Sequence, residues 1–268
     1  MIVLGFLSLQ DISLVYAGQK NNEPSLQNIN LEIEEGEFIA VVGPSGGGKS
    51  SMISLLAGLV EPTNGQILLN GKQVEGPGLD RAVVFQDYSL FPWMTAYENI
   101  YFALKQVGDV SREKAMNFLD IVGLGDAATK YPAELSGGMR QRVAIARAFA
   151  VGAPIYLMDE PFGAVDAKNR IYLQDLLLRL WQETGAKKTV VLVTHDIDEA
   201  LYLADRIVVF TTSPGRIRQV VQVPFQRPRQ RIHLIQDQSY IELRNDLLSL
   251  LQNEIIEELQ RVEGGAGI

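Results

Sequence analysis

Four features that the sequence lacks narrow the class of protein to which this 268-residue chain can belong. It has no cysteine, which excludes disulfides and thiolate metal sites and fits a reducing cytosol. It has no apolar run of the roughly 18–20 residues that a membrane-spanning helix needs. Residues 1–9 lack the positive region of a signal peptide and favour a first strand. With a net charge of -8, little basic surface is left for nucleic acid. We therefore expect a chain that reaches a membrane only through a partner.

The remaining composition is that of a globular protein, with 47% hydrophobic and 21% charged residues. Apolar and polar residues alternate at 9–16 and 29–33, which predicts half-buried, antiparallel strands. Residues 38–42 form a continuous β-branched run, typical of a strand covered on both faces. Strand character returns at 155–158, 189–194 and 206–210.

A helical stretch interrupts these strands. From about residue 88 to residue 151 the apolar spacing is helical, with Ser111 as the expected N-cap and Pro92 and Pro132 as breaks. Strands that alternate with helices predict a parallel sheet flanked by helices. We therefore predict an α/β fold with an N-terminal antiparallel β part and an inserted helical subdomain.

A glycine-rich loop follows the predicted strand at residues 38–42 and precedes a helix-like stretch at 51–59. It reads Gly43-Pro44-Ser45-Gly46-Gly47-Gly48-Lys49-Ser50, the P-loop pattern in the context that the motif requires. Glycines let backbone N–H groups turn inward around phosphate oxygens, and the helix N-terminus adds its dipole. Lys49 is expected to reach the β- and γ-phosphates, and the Ser50 hydroxyl to bind Mg²⁺.

Two carboxylates follow the predicted buried strand at residues 155–158. Asp159 and Glu160 stand at its C-terminal end, where ligands lie in an open parallel sheet. Asp159 is expected to hold the Mg²⁺ shell, and Glu160 to polarise the attacking water as general base. Such a pair is weak evidence alone and gains weight from the P-loop that precedes it.

An LSGG element stands between these two motifs. It reads Leu135-Ser136-Gly137-Gly138-Met139-Arg140-Gln141-Arg142. An LSGG stretch between a P-loop and an Asp-Glu strand end resembles the ATP-binding cassette (ABC) family, and the resemblance extends from about residue 9 to residue 216. It implies an ATPase with a P-loop NTPase (RecA-like) core.

The resemblance implies roles for residues that would not indicate a function by themselves. It implies that Tyr16 stacks on adenine, that Gln86 is the Q-loop residue that reaches Mg²⁺ or water, and that His195 faces the γ-phosphate. Catalysis is thereby expected of Glu160, His195 and Gln86. The residues expected to bind ATP are Tyr16, Gly43, Pro44, Ser45, Gly46, Gly47, Gly48, Lys49, Ser50, Ser51, Ser136, Gly137, Gly138 and Asp166. The residues expected to bind Mg²⁺ are Ser50, Gln86 and Asp159.

The LSGG element implies a second copy of the chain, because in this family it serves the nucleotide held by the partner subunit. Ser136 and the N–H groups of Gly137 and Gly138 open a helix and present an anion-binding end. Asp166 belongs to a D-loop that has Val165 where many members have leucine. Two chains would sandwich two ATP molecules head to tail, and hydrolysis would separate them. The later arginines of this helix are interpreted as a solvated or structural face.

Residues 76–94 and 213–217 resemble the nitrate/sulfonate/taurine branch of ABC importers. This implies permease subunits in separate chains, an indirect link to a solute-binding protein, a peripheral position at the cytoplasmic face of the membrane and a small anion as cargo. The alternative is a soluble ABC ATPase that acts on ribosomes or DNA, which the acidic balance disfavours. A nucleotide-binding regulator that does not hydrolyse ATP would lack Glu160 or His195. This chain has both residues, which disfavours that class.

The expected organisation leaves two segments with alternative interpretations. The nucleotide-binding core is predicted at 1–87 and 155–232, the helical subdomain at 88–154 and an amphipathic helix at 233–268. That helix either docks on its own domain or contacts a permease or another subunit. The exposed run Phe91-Pro92-Trp93-Met94 either packs the insertion or forms a groove that receives a helix of a membrane partner.

Overall fold

The computed structural model describes residues 5–16, 23–163, 165–183 and 187–265. Two compact units can be distinguished: a first unit of Met1–Gly76 and Val193–Ile268, and a second unit of Pro77–Leu192. The strands are β1 (Leu7–Leu14), β2 (Leu26–Ile33), β3 (Phe38–Val42), β4 (Asn64–Leu69), β5 (Lys72–Gln73), β6 (Arg81–Val84), β7 (Ile155–Asp159), β8 (Thr189–Val193), β9 (Arg206–Phe210) and β10 (Ile217–Gln222). The helices are α1 (Lys49–Leu56), α2 (Ala96–Gln106), α3 (Arg112–Ile121), α4 (Gly137–Val151), α5 (Ala167–Glu183), α6 (Ile197–Leu203), α7 (Arg231–Leu234) and α8 (Gln238–Gly265).

An antiparallel sheet in the order β2-β1-β4-β5 forms one layer of the first unit. The predicted strands near residues 9–16 and 29–33 are confirmed as β1 and β2, which pair antiparallel with Leu7 opposite Ile33. Their alternating burial gives the sheet one face toward the core. The strand expected over residues 1–9 is present only from Leu7, because residues 5 and 6 are not in a strand and residues 1–4 lie outside the described residues.

The other strands of the first unit follow the order β10-β9-β3, in which β9 is parallel to β3 and β10 is an antiparallel edge strand. The strands predicted at 38–42 and 206–210 are confirmed with these bounds, and the first is buried as expected. No strand was predicted at β10. Its residues are all exposed or half-buried, so the sequence there carries no apolar alternation.

The second unit contains β8-β7-β6 as neighbouring strands, with β6 and β7 parallel, and the helices α2 to α5. Ser111 is confirmed as an N-cap, since its hydroxyl accepts from the Lys114 N–H at 3.1 Å. The helical stretch begins later than predicted, at Ala96. The reason is that Tyr88 and Ser89 have left-handed backbones, with φ of 67° and 43°, which no α-helix contains.

The C-terminal helix α8 packs against α6 within the first unit. Its Tyr240 and Leu247 side chains are buried, and the Tyr240 hydroxyl donates to Asp198 of α6 at 2.8 Å. The structure therefore agrees with the interpretation that this helix docks on its own domain. No helix in the described ranges is both long and apolar enough to cross a bilayer.

Candidate nucleotide site

The P-loop of the first unit joins β3 to α1 and closes around the side chain of Lys49. This lysine is the first residue of α1, and its ammonium turns back to donate to the carbonyl oxygens of Gly43 at 2.8 Å and Pro44 at 2.7 Å. The residue is only 7% exposed. A positive charge therefore lies inside the curl of the loop, at the N-terminus of a helix, which is the arrangement that binds a phosphate group.

Close packing requires glycine at positions 47 and 48 of this loop. Gly48 has φ of 80°, and a Cβ there would lie 2.7 Å from the Ser25 carbonyl oxygen. A Cβ on Gly47 would lie 2.5 Å from the Thr211 carbonyl oxygen. On Gly215, which donates to the Ser25 carbonyl oxygen at 3.0 Å, a Cβ would overlap the Gly47 carbonyl oxygen. The 213–217 stretch that resembles one importer branch thus packs directly against the phosphate loop.

Two other predicted site residues belong to this unit. Tyr16 follows β1, and its hydroxyl donates to Ser51 of α1 at 3.3 Å, so the ring lies beside the helix that leaves the loop. His195 is exposed and stands between β8 and α6. The N–H of the preceding Thr194 donates to the Val41 carbonyl oxygen at 3.1 Å. Val41 is two residues before Gly43, so His195 and the P-loop leave the strands at the same edge.

The predicted carboxylates and the predicted Q-loop lie together in the second unit. Asp159 ends β7, and Glu160 follows it. In the parallel pair of β6 and β7, Val84 is opposite Met158. Gln86 and Glu160 are each two residues beyond this pair and therefore leave the same sheet edge at the same level. Glu160 has φ of 45°, a left-handed conformation that is costly for a side chain other than glycine.

The LSGG element begins α4. Ser136 is its N-cap, with the hydroxyl accepting from the Met139 N–H at 3.3 Å, and Gly137 and Gly138 form the first turn. The predicted helix start is thereby confirmed. A Cβ on Gly138 would be 3.4 Å from the Asn169 side chain, so the element lies next to the first turn of α5.

Asp166 precedes α5 and serves its first turn. Its carboxylate accepts from the Asn169 N–H at 3.1 Å and from the Asn169 side-chain amide at 2.6 Å. These hydrogen bonds to Asn169 hold the pKa of Asp166 below its usual value, which keeps the carboxylate ionised. Ala164, part of the predicted D-loop, lies outside the described residues.

Arg147 of α4 has a role that the sequence did not reveal. Its guanidinium donates to the carbonyl oxygens of Ser89 at 2.7 Å and Tyr88 at 3.2 Å, the two residues with left-handed backbones. It also lies 5.7 Å from the Phe91 ring, and burial lowers its pKa. About two turns toward the LSGG end of α4, Arg140 lies 5.8 Å from the Tyr88 ring. This face of α4 is structural and ties the helix to residues 88–91; its arginines are not merely solvated.

Comparison with known proteins agrees with these motifs. The model of a family described as ABC transporter matches residues 26–163. An uncharacterised ABC transporter ATP-binding protein of Methanocaldococcus jannaschii, MJ0412, is 46% identical over 95% of this chain and 94% of that protein. The bicarbonate transport ATP-binding protein CmpD of Synechocystis is 44% identical over 94% of this chain and 91% of its own length. The nitrate import ATP-binding protein NrtD of Synechococcus elongatus is 43% identical over 92% of each chain.

Among solved structures, a dimeric structure of the ATP-binding cassette MJ0796 bound to ADP and Pi matches with a TM-score of 0.72 and 33% identity, covering 82% of this chain and 100% of that chain. The α/β fold with a P-loop NTPase core is thereby confirmed. This chain belongs to the ABC transporter family. It is an ATP-binding ATPase of that family, and no finding favours the alternative of a cassette that acts on ribosomes or DNA.

Replacing Gly48 with alanine should weaken ATP binding at least about tenfold. The new Cβ would meet the Ser25 carbonyl and force the loop open, with a stability cost of about 1–3 kcal/mol from the left-handed backbone and the contact. Isothermal titration with ATP measures the affinity. Gly71→Ala is the matched control, because Gly71 has a similar φ of 71° but nothing within 4 Å of its Cβ position. Equal ATP affinities in the two variants would contradict this account of the loop.

Replacing Arg147 with methionine should destabilise the chain by about 1–3 kcal/mol, since it removes charged hydrogen bonds to two carbonyl oxygens while it keeps the apolar stem. Urea unfolding followed by circular dichroism measures the change. The exposed Arg112, the first residue of α3, provides the control Arg112→Met, for which we expect a change within about 0.5 kcal/mol. Equal stabilities of the two variants would mean that the contacts of Arg147 with residues 88–91 do not contribute to the free energy of unfolding.

Proposed function

We propose that this chain hydrolyses ATP to power an importer of a small anion. The observation that carries the proposal is the P-loop closed around the buried Lys49 ammonium in a chain of the ABC transporter family. The cargo class is supported by the printed functions of its relatives, bicarbonate transport for CmpD and nitrate import for NrtD. Which anion is carried depends on the permease and the solute-binding protein, because the ATPase subunit does not touch the cargo.

ATP binding is assigned to the first unit. Lys49 would exchange its two carbonyl partners for the β- and γ-phosphate oxygens, and the N–H groups of Gly46 to Ser50 would donate to the same phosphates. The loop fits a phosphate because the Lys49 ammonium already lies inside its curl, at the N-terminus of α1. Tyr16 would cover the adenine ring with its aromatic face, beside Ser51.

Hydrolysis is assigned to the predicted metal-binding and catalytic residues. Ser50, Asp159 and Gln86 have the oxygen ligands that Mg²⁺ prefers, and the ion, when bound, would neutralise charge on the β- and γ-phosphates. Glu160 would take a proton from the attacking water as general base. His195 would donate a hydrogen bond to the γ-phosphate oxygens as negative charge shifts during bond cleavage. The left-handed backbone of Glu160 supports this role, because such strain persists mainly at functional positions.

A second copy of the chain would complete each site. The exposed Ser136 hydroxyl and the N–H groups of Gly137 and Gly138 stand at the N-terminus of a 15-residue helix, where the dipole favours an anion. We assign this end of α4 to the γ-phosphate of ATP held by the partner, with Asp166 at the same interface. The dimeric form of the MJ0796 cassette supports this assembly.

The segment from Phe91 to Met94 divides into a packed part and an exposed part. The Phe91 ring meets Phe102 edge to face at 5.0 Å and is therefore held by the helical part of the second unit. Trp93 is 69% exposed. Each of the two interpretations therefore fits one residue of this segment. We assign Phe91 to packing of the helical insertion and Trp93 to contact with a cytoplasmic loop of the permease.

Replacing Glu160 with glutamine should retain ATP binding and slow hydrolysis on the order of 10²–10⁴-fold, the usual contribution of a general base. Since hydrolysis separates the subunits, the variant should accumulate as an ATP-bound dimer in size-exclusion chromatography. Phosphate release and ATP affinity are the two measurements. Glu113→Gln, at an exposed position of α3, is the control and should behave like the unchanged chain. Normal turnover by Glu160→Gln would move the base to another residue, with His195 the next candidate.

Replacing Trp93 with glutamate should weaken permease association by about 1–3 kcal/mol, because a charge would enter an apolar contact. The ATPase activity of the isolated chain should stay unchanged. Copurification with the permease and transport in vesicles are the readouts. Val110→Glu is the matched control, because Val110 is 68% exposed in the same unit. If Trp93→Glu copurifies and transports as well as Val110→Glu does, Trp93 is not at the permease contact.

A further inference from the structure

His195 is a single residue between a fixed strand end and a helix. The Thr194 N–H before it donates to the Val41 carbonyl oxygen. Asp196 after it is the N-cap of α6, and its carboxylate accepts from the Glu199 N–H at 3.1 Å. Any movement of the first turn of α6 therefore moves the backbone of His195. The contacts that hold α6 in place therefore also affect the position of His195.

We call residues 224–254 the tail segment. Two of its arginines bind the C-terminal end of α6. Arg229 is 8% exposed, and its Nη1 donates to the carbonyl oxygens of Leu201 at 3.0 Å, Tyr202 at 3.0 Å and Ala204 at 2.7 Å. Arg227 donates to the Leu203 carbonyl oxygen and, at 2.8 Å, to Asp205. The last carbonyls of a helix have no partner within it, so these guanidinium groups complete α6 from outside.

The charge on Arg229 is maintained despite its burial. Burial, with a smaller contribution from the charge of Arg227, lowers the pKa of Arg229 to about 10. The group therefore remains protonated at neutral pH. Its attraction to the partial negative charge at the helix C-terminus is thus present under physiological conditions.

The side of α6 is held as well. Asp198, in its first turn, accepts from the Tyr240 hydroxyl at 2.8 Å and from two nitrogens of Arg244 at 2.6 Å and 3.0 Å. The Arg231 guanidinium lies 3.5 Å from the ring centre of Tyr202, a cation–π contact on the last turn. The tail segment therefore contacts both ends of the same seven-residue helix.

We infer that the tail segment positions His195 for ATP hydrolysis by fixing α6, and that Arg229 is the main positioning residue. A helix of seven residues is about 10 Å long and has no internal hinge, so a tilt at its last turn displaces its first turn. A displacement of about 1 Å at a catalytic group can cost about 100-fold in rate. The inference rests on the γ-phosphate role proposed above for His195.

The test compares Arg229→Met and Asp198→Asn with the control Arg218→Gln in the full-length chain. Arg218 pairs with Glu254 of the tail segment but contacts no residue of α6 in the described bonds, so its replacement removes a tail contact that does not hold α6. For each folded variant, kcat and the dissociation constant for ATP are measured below the unfolding transition. The imidazole signal of His195 is followed by NMR in a His233→Gln background, which leaves one histidine because the chain has only two.

We expect kcat to fall about tenfold in Arg229→Met and by a smaller factor in Asp198→Asn, with ATP affinity within about twofold of the unchanged chain. The His195 signal should shift in both variants and stay in place in Arg218→Gln. If Arg229→Met does not fold, Asp198→Asn decides alone. Unchanged kcat and an unchanged His195 signal in a folded variant would overturn the inference and leave the tail segment a stabilising role only.

A double-mutant cycle separates this inference from the proposed function. If Arg229 acts through His195, adding Arg229→Met to His195→Ala should cause no further loss of kcat. Independent, multiplicative losses would contradict the inference while leaving the role of His195 intact. Normal hydrolysis by His195→Ala alone would instead remove the proposed role of the histidine, and the inference with it.

Discussion

The close approach of three backbone segments beneath the phosphate loop is the constraint on which the first unit depends. Gly48 packs on Ser25 and Gly47 on Thr211, while Gly215 packs on Gly47. The Gly215 N–H donates to Ser25, and its carbonyl oxygen accepts from Gln27 at 2.9 Å. The loop is thereby held between the start of β2 and the turn from β9 to β10. Its shape depends on the antiparallel parts of the unit as much as on the strand and helix that it joins.

Local patterns in the sequence predicted the features that short segments determine. The buried strands at residues 38–42 and 206–210, the cap at Ser111 and the start of α4 follow from runs of a few residues. The placement of His195 and of the Glu160 region at strand ends could be predicted for the same reason. Left-handed backbones at Tyr88 and Ser89 could not, because Arg147 stabilises them from 58 and 59 residues away.

The contacts of the arginines were the part of the structure that the sequence predicted least well. The reason is the chemistry of the guanidinium group. It is weakly hydrated, remains charged and has five donors, so it can be buried where several carbonyl oxygens converge. Arg142 donates to the Val122 carbonyl oxygen at 3.0 Å, and Arg179 to the Ile121 carbonyl oxygen at 3.1 Å. Arg229 does the same for α6. In a sequence, each of these residues is indistinguishable from a solvated surface charge, because the acceptors named here in Val122, Ile121 and α6 lie 20 or more residues away.

The left-handed backbone at Glu160 has an evolutionary consequence. A glycine there would adopt the same φ of 45° without strain, whereas the glutamate carries a cost on the order of 1 kcal/mol. The backbone alone therefore disfavours this side chain, and under the role proposed above for Glu160 it is selection for turnover that retains it. In a lineage that no longer needed the transporter, position 160 would be among the first to drift, and glycine would be a favoured replacement. Under the proposed role, a glutamate at this position would mark a lineage that still uses ATP turnover.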